Sequence, residues 1–214
     1  MKKILLFSML AVVPMMFINC QSSISSKCHI HGRMANSQYE GRRIFLVPLE
    51  GPQDAAHVDS VVIKDGKFEF TPDSFMLAKI LVDYHYRYGL QPLLVVTEPG
   101  DVDVVIGENS SATGTPQNDS LQLWKSITEA HNKEQGDFIR TIKQLSDTIQ
   151  QNLQKARADS AHLVYKKYTR QMAENLKEGP LHEFLKGLYP TTYKRKMPDG
   201  SVVTVDADTK EILK

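Results

Sequence analysis

Histidine and cysteine are the side chains of this 214-residue chain best suited to nucleophilic, redox or metal chemistry, and it carries seven of the first and two of the second. Cys20 and Cys28 are too few for a four-thiolate zinc site and too far apart for a C-x-x-C redox pair. Cys28 opens a β-rich run and reads as a small hydrophobe at a strand edge. His29 and His31 stand two apart, so a strand would place both on one face, and His57 and Asp59 repeat the spacing. Were those strands neighbours, the four side chains could converge on a metal ion. Polar residues alternating along a solvated strand give the same pattern, and that is the preferred reading. No H-E-x-x-H, G-x-S-x-G or P-loop pattern occurs. No catalytic residue, metal ligand or cofactor is assigned.

One run admits a ligand. In Tyr84-His85-Tyr86-Arg87-Tyr88 the alternation puts Tyr84, Tyr86 and Tyr88 on one strand face, with His85 and Arg87 on the other. Exposed, the three tyrosines would stack on a sugar ring or a flat ligand. Buried, they would form a cross-strand aromatic layer, which is the reading the pattern favours.

The N-terminus points to export. Lys2 and Lys3 precede an apolar run over residues 4–18, interrupted by Ser8 and Pro14. A cationic end followed by an apolar core is a secretory signal, and the run falls short of the ~20 residues a spanning helix needs. Residues 1–19 are read as that signal. Phe17-Ile18-Asn19-Cys20 resembles the lipobox of bacterial lipoproteins, although Asn19 replaces the usual small residue. The resemblance implies acylation of Cys20, a flexible tether over 20–27, and anchoring through lipid; Gln21 after that cysteine implies the outer membrane. Cleavage at Ser23-Ile24-Ser25 is the rival, and would release a soluble periplasmic or secreted protein. Loss of residues 1–19 removes two lysines and no acid, so the net charge of +1 becomes −1. Such a balance excludes nucleic-acid binding through bulk positive charge. With 41% hydrophobic and 24% charged residues, the chain has the composition of a folded globular protein.

Two periods organise the rest. Over residues 28–116 the pattern is that of short strands. Asp65-Gly66 separates two β-prone runs, and Glu98-Pro99-Gly100-Asp101 separates two more, so two hairpins are expected. A long strand is expected over 77–88. These features predict an antiparallel β-sandwich or open barrel. Over residues 117–190 the period is helical. Asn118-Asp119-Ser120 offers a cap, Gly136-Asp137 a bend or restart, and Phe138, Ile142, Leu145, Ile149 and Leu153 an apolar stripe. Val164, Tyr168, Met172 and Leu176 stand four apart, and Gly179-Pro180 ends that piece and starts a short helix. The stripe is read as the inner face of a helical hairpin packed on its own chain, rather than as a coiled-coil seam for a partner. Residues 191–214, with Pro198-Asp199-Gly200 at their centre, are expected to close the α+β fold as a β-hairpin.

Asp59-Ser60-x-x-Ile63-x-x-Gly66-x-Phe68-x-Phe70, then Glu98-Pro99-Gly100, then Gly114-Thr115-Pro116-x-Asn118-Asp119, resemble a domain-of-unknown-function family. That domain forms the N-terminal part of exported, often lipid-anchored thiol-disulfide oxidoreductases of Gram-negative bacteria. The resemblance spans about residues 28–188 and implies a following thioredoxin-like domain bearing C-x-x-C; here the tail after Pro190 is far shorter than the ~100 residues of a typical domain. Redox activity is therefore not carried over. The expectation is a non-enzymatic envelope lipoprotein acting as a binding or interaction module. The alternative is an accessory that docks a separate thioredoxin-like enzyme, an envelope protein partner.

Overall fold

The computed structural model describes residues 26–82 and 90–213. The signal at 1–19, Cys20, and Tyr84, Tyr86 and Tyr88 lie outside the described residues. The first eight strands are β1 (Cys28–Met34), β2 (Arg43–Pro48), β3 (Asp59–Val62), β4 (Lys67–Phe70), β5 (Leu77–Val82), β6 (Leu93–Val96), β7 (Gly100–Ile106) and β8 (Ser111–Thr113). They form two four-stranded sheets, ordered β4-β1-β7-β8 and β3-β2-β5-β6. Helices α1 (Pro116–Gln144), α2 (Thr148–Leu176) and α3 (Pro180–Leu188) follow, then β9 (Thr192–Lys196), β10 (Val202–Asp206) and β11 (Ile212–Leu213). The fold is α+β, and among the described residues the sheets are open, with no closed barrel.

Both expected turns form, but the first closes only a single-bridge hairpin and the second joins none. Asp65 and Gly66 take φ of 52° and 67°, and the Glu40 carboxylate accepts both of their N–H groups at 2.9 Å. Beyond the Lys64–Lys67 bridge the strands part: β3 pairs with β2 and β4 with β1. The Glu98-Pro99-Gly100 turn behaves likewise, carrying the chain from β6 in the second sheet to β7 in the first. Turns in which the chain changes sheets are the corners of a sandwich. They also set strand direction, because β7 enters beside β1 running parallel to it, from Cys28↔Gly100 to Met34↔Ile106. The expected wholly antiparallel sheets thus contain one parallel pair.

The inward faces of both sheets make one core. Ile30, Val102 and Val104 from the first meet Ile44, Leu46 and Ile80 from the second, all nearly inaccessible to water. Gly32 is needed there: it pairs with Phe68, and a Cβ on it would lie 2.0 Å from the Phe68 ring.

Helices α1 and α2 are each 29 residues, about 43 Å long at 1.5 Å per residue. The expected bend at Gly136 is absent, since a mid-helix glycine costs only about 1 kcal/mol and does not break a long helix. The chain reverses instead after Leu145, where the Asp147 carboxylate caps α2 by accepting from Ile149 N at 2.8 Å. The stripe from Phe138 to Leu153 therefore straddles a turn and is not one buried face; Ile149 is 75% exposed. The second stripe is corrected too. Tyr165, Thr169, Met172 and Ala173 are buried, while Val164 and Tyr168 face solvent. At 3.6 residues per turn each step of four advances about 40°, so the row drifts around the helix; the buried face centres on Tyr165, Thr169, Met172 and Ala173, and Val164 falls outside it.

The expected hairpin about Pro198-Asp199-Gly200 forms from β9 and β10, and β11 adds a third strand, giving an antiparallel sheet ordered β11-β10-β9. It is tied to α2 through Asp208, which pairs with Lys166 at 2.6 Å and with Arg170. Arg170 also donates to the carbonyls of Tyr189 and Pro190, at 2.7 and 3.0 Å. The hydrogen bonds from Arg170 and then Lys166 hold the Asp208 carboxyl well below the usual carboxylate range.

Candidate functional site

Among the described residues the histidines single out three places. His29 and His31 do share the outward face of β1, with rings stacked 6.4 Å apart. His31 stands between two carboxylates, 3.8 Å from Glu69 and 3.5 Å from Asp101. His57 lies elsewhere, its Nδ1 2.6 Å from Asp54 in the loop before β3, so the two pairs do not meet. Among the described residues no group of three or more His, Cys, Asp or Glu is placed to hold a metal ion. The third place escaped sequence reasoning. His131 of α1 and His162 of α2 approach at 3.1 Å, His131 stacks on Tyr165 at 4.3 Å, and Tyr189 closes edge-on over Tyr165 and His162. Residues 31 positions apart give no local signal of such a stack.

Cys28 is 3% exposed. Burial first, then the charges of Glu98 and Asp101, push its thiol up to about 11, which leaves it inert as a nucleophile.

The residues of the sequence signature build corners. The Glu98 carboxylate accepts from Gln117 N at 2.8 Å, capping α1 in place of Thr115, whose side chain makes no cap bond. A carboxylate there also suits the positive end of the helix. Asn118, expected as a cap, is fully buried and does something else. Its amide accepts from Val96 N at 2.9 Å and donates to Val96 O at 2.8 Å. Since β6 is an edge strand, this side chain stands in for a missing neighbour strand and welds α1 to the sheet. Asp119 takes the Gly114 N–H at 2.9 Å; Gly114 has φ of 105°, and a Cβ on it would lie 2.6 Å from the Asp101 carbonyl.

A concavity opens beside the covered face of the second sheet. Leu77 and Val96 project outward from the second sheet and are covered by Leu121 of α1, Met172 and Ala173 of α2, and Leu181 and Leu185 of α3. Gln117 fixes the start of α3 by accepting from Leu181 N at 3.1 Å. The loop before β5 is pinned by Thr97, whose hydroxyl oxygen accepts from Met76 N at 2.9 Å and whose hydrogen goes to the Ser74 carbonyl. Between this loop and α3 lies a cavity of about 430 Å³, within the usual range for small-ligand sites. Its sandwich wall is apolar: Leu49, Phe75, Met76 and Leu77, with Glu50 beside them. Its helical wall is Pro180, Glu183 and Phe184. Phe75 is 49% exposed, and Phe184 is braced edge-on by Trp124 at 5.6 Å. Sequence reasoning missed this seam because its two walls are about a hundred residues apart; the helix start at Gly179-Pro180 was its one legible part.

Architecture and site together define an open β-sandwich whose second sheet is roofed by helices, with a seam of mixed polar and apolar lining between the two. Residues 28–121 match the model of a family described as a domain of unknown function (DUF4369), which takes in β1–β8 and the first turns of α1. No curated protein and no solved structure matches the chain. Glu98, Gly100, Gly114 and Asn118 fall within the matched span; α2, α3 and the helical wall of the seam fall beyond it.

Proposed function

We propose that this protein is a non-enzymatic binding module of the bacterial cell envelope, anchored by an acylated Cys20 and taking its ligand in the seam between the second sheet and α3. The observation that carries the reading is the cavity of about 430 Å³ with a half-exposed Phe75 at its wall. A concavity of this size that sets aromatic and aliphatic side chains beside a few charged groups has the usual ingredients of a small-ligand site. The anchor rests on Lys2, Lys3, the apolar run 4–18 and Cys20. Several acyl chains at about 0.8 kcal/mol per buried methylene hold a protein firmly on a membrane. Metabolic labelling with a palmitate analogue tests it: the wild-type protein is labelled and partitions with membranes, and Cys20→Ala abolishes both. Undiminished labelling in Cys20→Ala removes the anchor.

A second reading follows from the helical hairpin. Leu123, Val164 and Tyr168 lie exposed on α1 and α2, at 50%, 67% and 38%. The family resemblance read in the sequence implies relatives with a thioredoxin-like domain in the same chain, and on this reading the face would dock such an enzyme as a separate partner. Crosslinking in envelope extracts with the wild type and with Val164→Asp decides it; no thioredoxin-like protein lost on substitution sinks the reading.

A further inference from the structure

We propose that the seam cavity selects an organic cation with an apolar body, a protonated arylalkylamine or a quaternary ammonium group. The inference rests on the binding-module reading and names the class of ligand.

Charge points one way. Glu50 and Glu183 both line the cavity, and among the described residues no lysine, arginine or histidine does. An anion would meet two carboxylates there. His182, next in sequence to Glu183, does not line the cavity: its Nδ1 donates to the Ala173 carbonyl at 2.7 Å, and its Nε2 lies 3.6 Å from the Glu183 carboxylate. Glu50 makes no ion pair with any described residue.

The rest of the lining argues against a simple metal ion. Leu49, Met76, Leu77 and Pro180 supply no oxygen side chains, whereas hard cations want six or more oxygen ligands. An organic cation fits both halves of the site. Its apolar body fills the aliphatic floor, and its charge is met by the carboxylates and by the rings of Phe75 and Phe184, since a cation over an aromatic face is attracted to it. Phe184 is held in place from behind by Trp124, so one of those rings is positioned before any ligand arrives.

The test compares three probes of similar shape and different charge on the full chain: benzylammonium, benzyl alcohol and benzoate. Backbone amide shifts of Phe75, Met76 and Glu183 report binding at the seam. The expected result is binding in the order ammonium, alcohol, benzoate, with the ammonium about tenfold tighter than the alcohol. Glu50→Gln, and separately Glu183→Gln, should each reduce the ammonium's advantage and leave the alcohol's affinity unchanged, which also shows that the variant is folded. Equal binding of ammonium and alcohol overturns the cation inference while leaving the seam as a binding site. Absence of seam shifts with all three probes overturns both.

Discussion

The outward face of the first sheet carries His31, Arg33, Glu69, Asp101 and Asp103 in open solvent, whereas the outward face of the second carries Leu77, Leu94 and Val96 under helices. Both sheets turn the same kind of inward face to a common core. The difference is written in the strands. β7 alternates Asp101, Val102, Asp103, Val104, the pattern of a strand with one wet side, while β6 reads Leu93-Leu94-Val95-Val96 without a break. An unbroken apolar strand needs cover on both sides. Here the cover is α1, α2 and α3, and the seam cavity lies where the covering layer meets the sheet.

Four measurements would break or sharpen that contrast. Leu181→Ala removes a fully buried side chain from the covering layer and should cost about 2–5 kcal/mol in urea unfolding. A cost well under 1 kcal/mol would mean that the helices do not cover the second sheet as described. Asn118→Ala leaves both backbone groups of Val96 without partners on a buried edge, for a loss of about 1–3 kcal/mol. Its amide exchange at Val96 should rise with it, and protection equal to wild type would refute the weld.

A smaller effect comes from pH. Burial first, and then the charge of His162, hold His131 below its ordinary value of about 6.5, with Glu134 opposing. Tyr165 and Tyr189 also face the pair, and Lys166 and Arg170, paired with Asp208 of the tail, lie further along α2. The unfolded chain thus binds the proton more readily than the folded one. His131 contributes stability above about pH 6.5 that is lost as pH falls through its folded value. Melting temperature should drop over that interval, and His131→Phe should flatten the drop; an unchanged profile would remove the pair from the account. The smallest effect is expected on the first sheet. His31→Ala should change stability by no more than about 0.5 kcal/mol, because its two carboxylate neighbours and the ring itself are exposed. A loss above 1 kcal/mol would show that this face is not merely solvated.

Much of the architecture was legible. The β-to-helix change near residue 116, the turns at Asp65-Gly66 and Glu98-Pro99-Gly100, the inward Phe68 and Phe70, and the helix start at Pro180 all follow from local chemistry, and each is present. Where reasoning failed, a local pattern had two tertiary outcomes. A turn between two strands can close a hairpin or carry the chain to another sheet, and the turn residues are the same for both. Apolar residues four apart can lie at a buried face or wind away from it, as Val164 and Tyr168 do. The candidate site shows this most plainly. No single segment contains it, and Glu50, Phe75 and Glu183 have nothing in their own neighbourhoods to mark them.

The sequence by itself determined the class of fold, the order of its elements and the residues of its turns, because backbone conformation and amphipathic period depend on neighbours a few positions away. Only the tertiary structure decided which strands pair, that β1 and β7 run parallel, that Asn118 serves a strand edge rather than a helix end, and that two acids and two phenylalanines share one cavity. Those outcomes depend on which surfaces are left to be covered once the core has formed, and that is a property of the whole chain.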